Sequence, residues 1–345
     1  MEAKSLAIQE LTETASALMA DGKGILAMDE STPTCNKRFA AIGIPQTEEK
    51  RRDYREMIIT TPGLNEGISG VILYDETARQ HLSDGTSFIQ AVTSAGIIPG
   101  IKVDRGAKDM AGFPGEKITE GLDGLRERLD EYYRMGLRFA KWRAVISIGY
   151  NTPGETCIES NAEALARYAA LCQEVGLVPI VEPEVLMEGD HSIQDCFRVT
   201  EKVLHTVFSH LFAHKVQPEG MILKPGMVLP GLDCPAQMAI EDIGEATVEC
   251  LLRTVPAAVP GIAFLSGGQH ADLASARLSY MNREFGSKLP WALSFSYARA
   301  IQQPALKIWE GENANVKTAQ QALYHRVKCN QAARLGKYDV SMEMI

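Results

Sequence analysis

Eight short apolar runs, each closing on a polar or charged cluster, recur along this 345-residue chain, and no other feature restricts its fold as much. They occupy residues 24–28, 68–73, 97–103, 137–148, 177–181, 221–223, 261–265 and 291–297. The runs are nearly continuous in apolar residues, as strands must be when their sheet is covered on both faces. Between them the spacing is helical: Leu122, Leu125, Leu129 and Tyr132 share one face, as do Cys196, Val199, Val203 and Leu211. Strand and helix alternating eight times predicts an α/β protein, and specifically a closed parallel (β/α)8 barrel of the TIM type rather than an open doubly wound sheet. Such a barrel uses roughly 250 residues. The surplus is read as an amphipathic helix over 1–20, marked by Leu6, Ile8, Leu11 and Leu18, and a C-terminal helical segment ending in a flexible tail over about 338–345. No linker rich in Pro, Gly or Ser interrupts the chain, so one domain over 1–345 is expected.

Charge narrows the partners. The net charge is −9 with the basic residues scattered, which gives nucleic acid no electrostatic footing. No apolar run approaches the length of a membrane span. Seven cysteines occur singly, without a Cys-x-x-Cys pair, and fit free thiols in a reducing, cytoplasmic setting. Small molecules or other proteins remain as partners.

In barrels of this kind the chemistry lies at the carboxyl ends of the strands, and this chain gathers its charge there. Asp29, Lys102, Lys141, Arg143, Glu182, Glu184, Lys224, Ser266 and Arg299 are all expected at one mouth. A lone charge within an apolar strand must pair internally or face a ligand. Lys224 follows the run 221–223 and precedes Pro225-Gly226, so its stem is expected in the interior and its amine at the mouth. Burial disfavours the charged form of a lysine, and an uncharged amine is a nucleophile; the plainer reading is a lysine that snorkels to water. His205, His210 and His214 share one helical segment, and the i, i+4 pair His210/His214 has metal-ligand spacing. No Glu or Cys nearby falls in the right frame, so they are read as packed or solvated histidines and no metal is expected.

Seven blocks, in order, carry a resemblance: Leu26-Ala27-Met28-Asp29-Glu30-Ser31, Gly100-Ile101-Lys102-Val103-Asp104, Phe139-Ala140-Lys141-Trp142-Arg143, Pro179-Ile180-Val181-Glu182-Pro183-Glu184, Leu223-Lys224-Pro225, Phe264-Leu265-Ser266-Gly267-Gly268-Gln269 and Trp291-Ala292-Leu293-Ser294-Phe295-Ser296-Tyr297. From about residue 6 to about 337 the chain resembles the class I fructose-1,6-bisphosphate aldolases. The resemblance implies a metal-independent lyase with no cofactor and a sugar bisphosphate substrate, working through a Schiff base on Lys224. It implies that Lys141 is the second cation beside that lysine and that Glu182 moves protons for carbinolamine chemistry. Glu184 is implied as a supporting carboxylate holding Lys224 or Lys141, and Asp29 as the group that takes the substrate hydroxyl proton or positions the others. Ser266, Gly267, Gly268 and Arg299 are implied for one phosphate. Ser31, Thr34, Arg38, Lys102 and Arg143 are implied for the other, with Thr34 standing where a serine contacts phosphate. A homotetramer and activity on sedoheptulose 1,7-bisphosphate are further implications.

The chain departs from the family at its end. Many members finish on a tyrosine that assists proton transfer, whereas this chain ends Met342-Glu343-Met344-Ile345. Two other readings stand beside the leading one. The first is a catalytically idle barrel acting as a protein scaffold, against which the internal charge cluster argues. The second is another Schiff-base enzyme such as a transaldolase, which has no need of two phosphate sites.

Overall fold

A computed structural model describes residues 2–344, with side chains from Ile8 onward; Leu6 lies outside the described side chains. The described residues form ten strands: β1 (Gly24–Met28), β2 (Ile68–Leu73), β3 (Ile98–Lys102), β4 (Ala107–Asp109), β5 (Lys117–Thr119), β6 (Phe139–Ile146), β7 (Val178–Val185), β8 (Ile222–Leu223), β9 (Gly261–Phe264) and β10 (Ala292–Tyr297). Eight of them close a parallel barrel in the order β1-β10-β9-β8-β7-β6-β3-β2, and β4 and β5 make a separate hairpin. The (β/α)8 expectation holds.

Strand alternation explains why the site is where it is. Successive side chains point to opposite faces. One set (Leu26, Val71, Ile101, Trp142, Val181, Leu223 and Phe264 among them) packs outward against the helices. The other set (Ile25, Ala27, Ile72, Phe139, Val178, Ile180, Ile222 and Ala263) fills the interior. Counting on by twos along the inward set leads from Phe139 to Lys141 and Arg143, from Ile180 to Glu182 and Glu184, and from Ile222 to Lys224. The interior is therefore apolar at one end and charged at the other.

The apolar end needs a cover. The helix Glu2–Leu18 supplies it: Leu11, Ala15, Leu18 and, just beyond, Met19 join the interior cluster. Strand glycines make room for this plug. A Cβ on Gly70 would lie 2.5 Å from Leu18 Cδ2, and one on Gly261 would lie 2.3 Å from Met19 Cε.

Beyond shifts of a residue or two at the strand ends, the structure departs from the sequence reading as follows. β7 runs through Glu182-Pro183-Glu184 to Val185 instead of stopping at 181, because both glutamates keep the inward register and the pairing with β6 continues to Val185. β8 is only two residues long. The hairpin of β4 and β5, short and polar, carries no hydrophobic alternation and went unread. At the far end, where a flexible tail is expected, the chain folds into a 3-10 turn, Val340–Glu343. There Tyr338 is buried, and the Glu343 carboxylate receives Tyr338 Oη at 2.7 Å and the Arg326 guanidinium.

Candidate active site

The charged end of the barrel opens into a cleft of about 600 Å³, a size suited to a small metabolite. Every site residue expected from sequence lines it except Gly268, which lies at its edge against Arg299. At its floor four charges sit together. Lys141 Nζ lies 2.7 Å from Asp29 Oδ2 and 3.2 Å from Glu182 Oε2, and Lys224 Nζ lies 3.3 Å from Glu182 Oε1. All four residues are buried. One carboxylate thus spans two lysines, and the second lysine is also held by Asp29. Glu182 Oε2, though close to Lys141, receives no well-directed hydrogen bond, so it keeps capacity to exchange a proton with a ligand.

Burial alone would push the Asp29 carboxyl up; the Lys141 ammonium, and then Lys224, outweigh burial and hold it at about 2. Burial would likewise pull Lys141 down, but Asp29 and then Glu182 outweigh it and raise it well above the usual lysine range. Lys141 is a fixed cation, and Asp29 a fixed, weakly basic anion.

Glu184 does not hold either lysine. Register places Lys141 opposite Ile180 and Arg143 opposite Glu182, so Glu184 stands four residues, roughly 13 Å of strand, beyond the level of Lys141. It pairs instead with Arg143 Nε. Three of the five residues implied for the second phosphate are similarly engaged. Arg143 is on Glu184, Lys102 Nζ is on the Asp104 carboxylate and its main-chain oxygen, and Arg38 Nη1 lies 2.5 Å from Glu30 Oε1. Ser31 and Thr34 share a hydrogen bond of 3.0 Å at the start of the helix Thr32–Ala40, and Ser31 does not cap that helix with its side chain. Pro33 has no N–H, so the first-turn donors left for an anion are those of Thr32 and Thr34.

The opposite wall is built from Ser266-Gly267-Gly268. Gly267 and Gly268 take φ of +59° and +106°, the left-handed side that glycine alone adopts readily. This turn leads into the helix Ala271–Phe285. A Cβ on Gly268 would lie 3.4 Å from Arg299 Nη2, so the guanidinium and the glycine turn face one space.

Sequence reasoning missed Lys37, Gln303 and Lys307, all of which line the cleft. Among the described residues, Arg299, Lys37 and Lys307 are the cleft cations without an ion-pair partner. The signal was present for one wall: Arg299, Gln303, Leu306 and Lys307 follow i, i+4, i+7, i+8 and so share one face of the helix Arg299–Trp309.

A family model described as Fructose-bisphosphate aldolase class-I matches residues 10–344. The chain is 57% identical over 334 residues to the probable fructose-bisphosphate aldolase class 1 of Xanthomonas campestris pv. campestris, across 96% of this chain and 99% of that one. It is 53% identical over 329 residues to the cytosolic fructose-bisphosphate aldolase 6 of Arabidopsis thaliana, across 95% and 91%. Among solved structures, fructose-bisphosphate aldolase from Plasmodium falciparum, in complex with TRAP and a small-molecule inhibitor, matches with a TM-score of 0.94 and 46% identity over 96% of each chain.

Proposed function

The chain belongs to the class I fructose-bisphosphate aldolases, and from that membership we propose which of its residues perform each step. The reaction is the reversible aldol cleavage of fructose 1,6-bisphosphate to dihydroxyacetone phosphate and glyceraldehyde 3-phosphate through a lysine Schiff base. Lys224 is that lysine. Its Nζ adds to the C2 carbonyl, water leaves, and the resulting iminium draws the electron pair of the C3–C4 bond as the C4 hydroxyl loses its proton. The aldehyde departs. The enamine then takes a proton at C3, and water returns to release the second product.

The observation that carries this reading is the single Glu182 carboxylate set 3.3 Å from Lys224 Nζ and 3.2 Å from Lys141 Nζ. Glu182 is our choice for the protons that enter and leave at the carbinolamine and for the C4 hydroxyl proton, since its Oε2 has no well-directed partner. Asp29 is assigned a positioning role: a carboxylate held at about 2 is a poor base, and its ion pair fixes Lys141. Lys141 supplies standing positive charge beside the developing oxyanion. Gly267, Gly268, Ser266 and Arg299 take one phosphate. Ser31, Thr34 and Lys37 take the other, with Lys307 across the cleft, while Arg38, Lys102 and Arg143 exchange their carboxylates for it as substrate enters. Glu184 orients Arg143. Family habit further supports a cytoplasmic homotetramer, which light scattering on the purified chain tests; no helix among the described residues is long and apolar enough to cross a membrane.

Borohydride added with substrate is expected to fix the triose or hexose covalently on Lys224 and to abolish activity, with the added mass mapped by peptide analysis. Lys224→Met should lose both trapping and cleavage. Label on another lysine, or cleavage that disappears with a chelator and returns with zinc, overturns the assignment.

A further inference from the structure

Behind the glycine turn lies a cation that no ion pair accounts for. Arg277 stands in the second turn of the helix Ala271–Phe285 and is buried, yet among the described residues it meets no carboxylate. The other arginines buried as deeply, Arg51, Arg55 and Arg326, each touch one. The Arg277 side chain leans toward the start of its helix, as helical side chains do, and Nη1 donates to Gln269 Oε1 at 2.7 Å. Its Nε is buried without a partner. Burial pulls the guanidinium below the ordinary arginine value, and Tyr297 and Asp272 offset only part of that.

Gln269 links this cation to the site. It follows Gly268 directly, and its N–H closes the turn on Ser266 O at 2.9 Å. Its side chain borders a void of about 10 Å³ shared with Leu265, Gly267, Met187 and Gly226, which sets it directly under the glycine turn. Oε1 receives Arg277, while Nε2 is buried and unpartnered. An apolar pair of similar volume would fill the same space without stranding a charge and an amide.

We propose that Arg277 is a positioning residue for the phosphate site: through Gln269 it holds the Ser266-Gly267-Gly268 turn, and its unmatched positive charge is answered by the phosphate dianion when substrate fills that turn. The proposal rests on the assignment of that turn and Arg299 to a sugar phosphate. Arg299 and the start of the helix answer part of a dianion's charge directly. Arg277 adds positive potential from a region sheltered from water, where a charge is weakly screened and acts without contact.

The deciding variant in the full chain is Gln269→Glu. It keeps the shape of the glutamine and its acceptor oxygen but sets a carboxylate on Arg277, so the charge is already matched before substrate arrives. KM for fructose 1,6-bisphosphate should rise roughly tenfold with kcat within about twofold of the parent, while Tm rises because a stranded cation has gained a partner. Affinity and stability then move in opposite directions, which a merely structural contact would not produce. Arg277→Met should raise KM about fivefold, and Arg277→Lys, which keeps the charge, should recover at least half of that loss. Arg299→Ala marks the site itself. If it leaves KM unchanged, the phosphate assignment has failed and this proposal with it. If Arg299→Ala raises KM while Gln269→Glu and Arg277→Met both keep the parent value, the proposal alone is overturned. A lowered Tm in Arg277→Met with KM unchanged likewise reduces Arg277 to packing.

Discussion

Asp29 shows how one side chain ties stability to the site. Its folded carboxyl sits at about 2, below the ordinary ~3.9, so its contribution to stability is fully present above ~3.9 and is lost as pH falls toward about 2. Asp29→Asn leaves Lys141 with Glu182 alone, and breaking a buried pair costs roughly 3–5 kcal/mol, here near the low end because one partner remains. The gap in urea midpoint between parent and variant should therefore be constant from about pH 5 to 8 and narrow below about pH 4. A gap that widens on acidification would contradict the assigned charge states. The residues of this cluster were legible because lone charges interrupting apolar strands announce themselves. Their pairings were not. Lys141 meets Asp29 from 112 positions away, and which carboxylate reaches which cation follows from strand register, as the Arg143–Glu184 pair shows.

At the scale of elements, the eight strands could be read from their apolar runs, but their ends could not, β7 above all. Glu182-Pro183-Glu184 looked like a strand end because charge and proline usually mark one. The pleat instead carries both glutamates into the mouth. The role of the first helix was only half visible: its amphipathic face was plain, its seat in the barrel was not. That seat depends on glycines that read as neutral positions in a strand, Gly70 above all. Gly70→Ala brings a Cβ within 2.5 Å of Leu18 Cδ2 and should destabilise by about 1–3 kcal/mol through overpacking. Leu18→Ala alone should cost about 2–5 kcal/mol by leaving a cavity. Combined, the two should cost clearly less than their sum, because each relieves the other's fault. Strict additivity in thermal or urea melts would mean the helix does not seat against that strand.

At the scale of the molecule, the helix Glu2–Leu18 covers one end of the barrel and the turn Val340–Glu343 packs beside the other, and the second contact bears on function. Arg326, buried on the helix Val316–Arg334, donates from Nε to Ala300 O at 3.2 Å and from Nη2 to Ala271 O at 3.1 Å and Ser275 Oγ at 2.9 Å. Ala300 follows Arg299, and Ala271 opens the helix that follows the Ser266-Gly267-Gly268 turn. One guanidinium thus holds both pieces of the proposed phosphate site, and the turn Val340–Glu343 secures that guanidinium through Glu343. The described C-terminal turn is joined to the proposed site by this route. Arg326→Met should let the glycine turn and Arg299 drift apart, raising KM for fructose bisphosphate roughly tenfold, or ~1.4 kcal/mol of binding, with a smaller change in kcat. Arg326→Lys should recover part of the loss, and Glu343→Gln should show a milder effect in the same direction, since it leaves the guanidinium's other three bonds intact. Steady-state kinetics beside melting curves separate the readings: a lowered Tm with KM unchanged would reduce Arg326 to packing, whereas KM rising at working temperatures where the variant is fully folded identifies a residue that positions the anion site from behind.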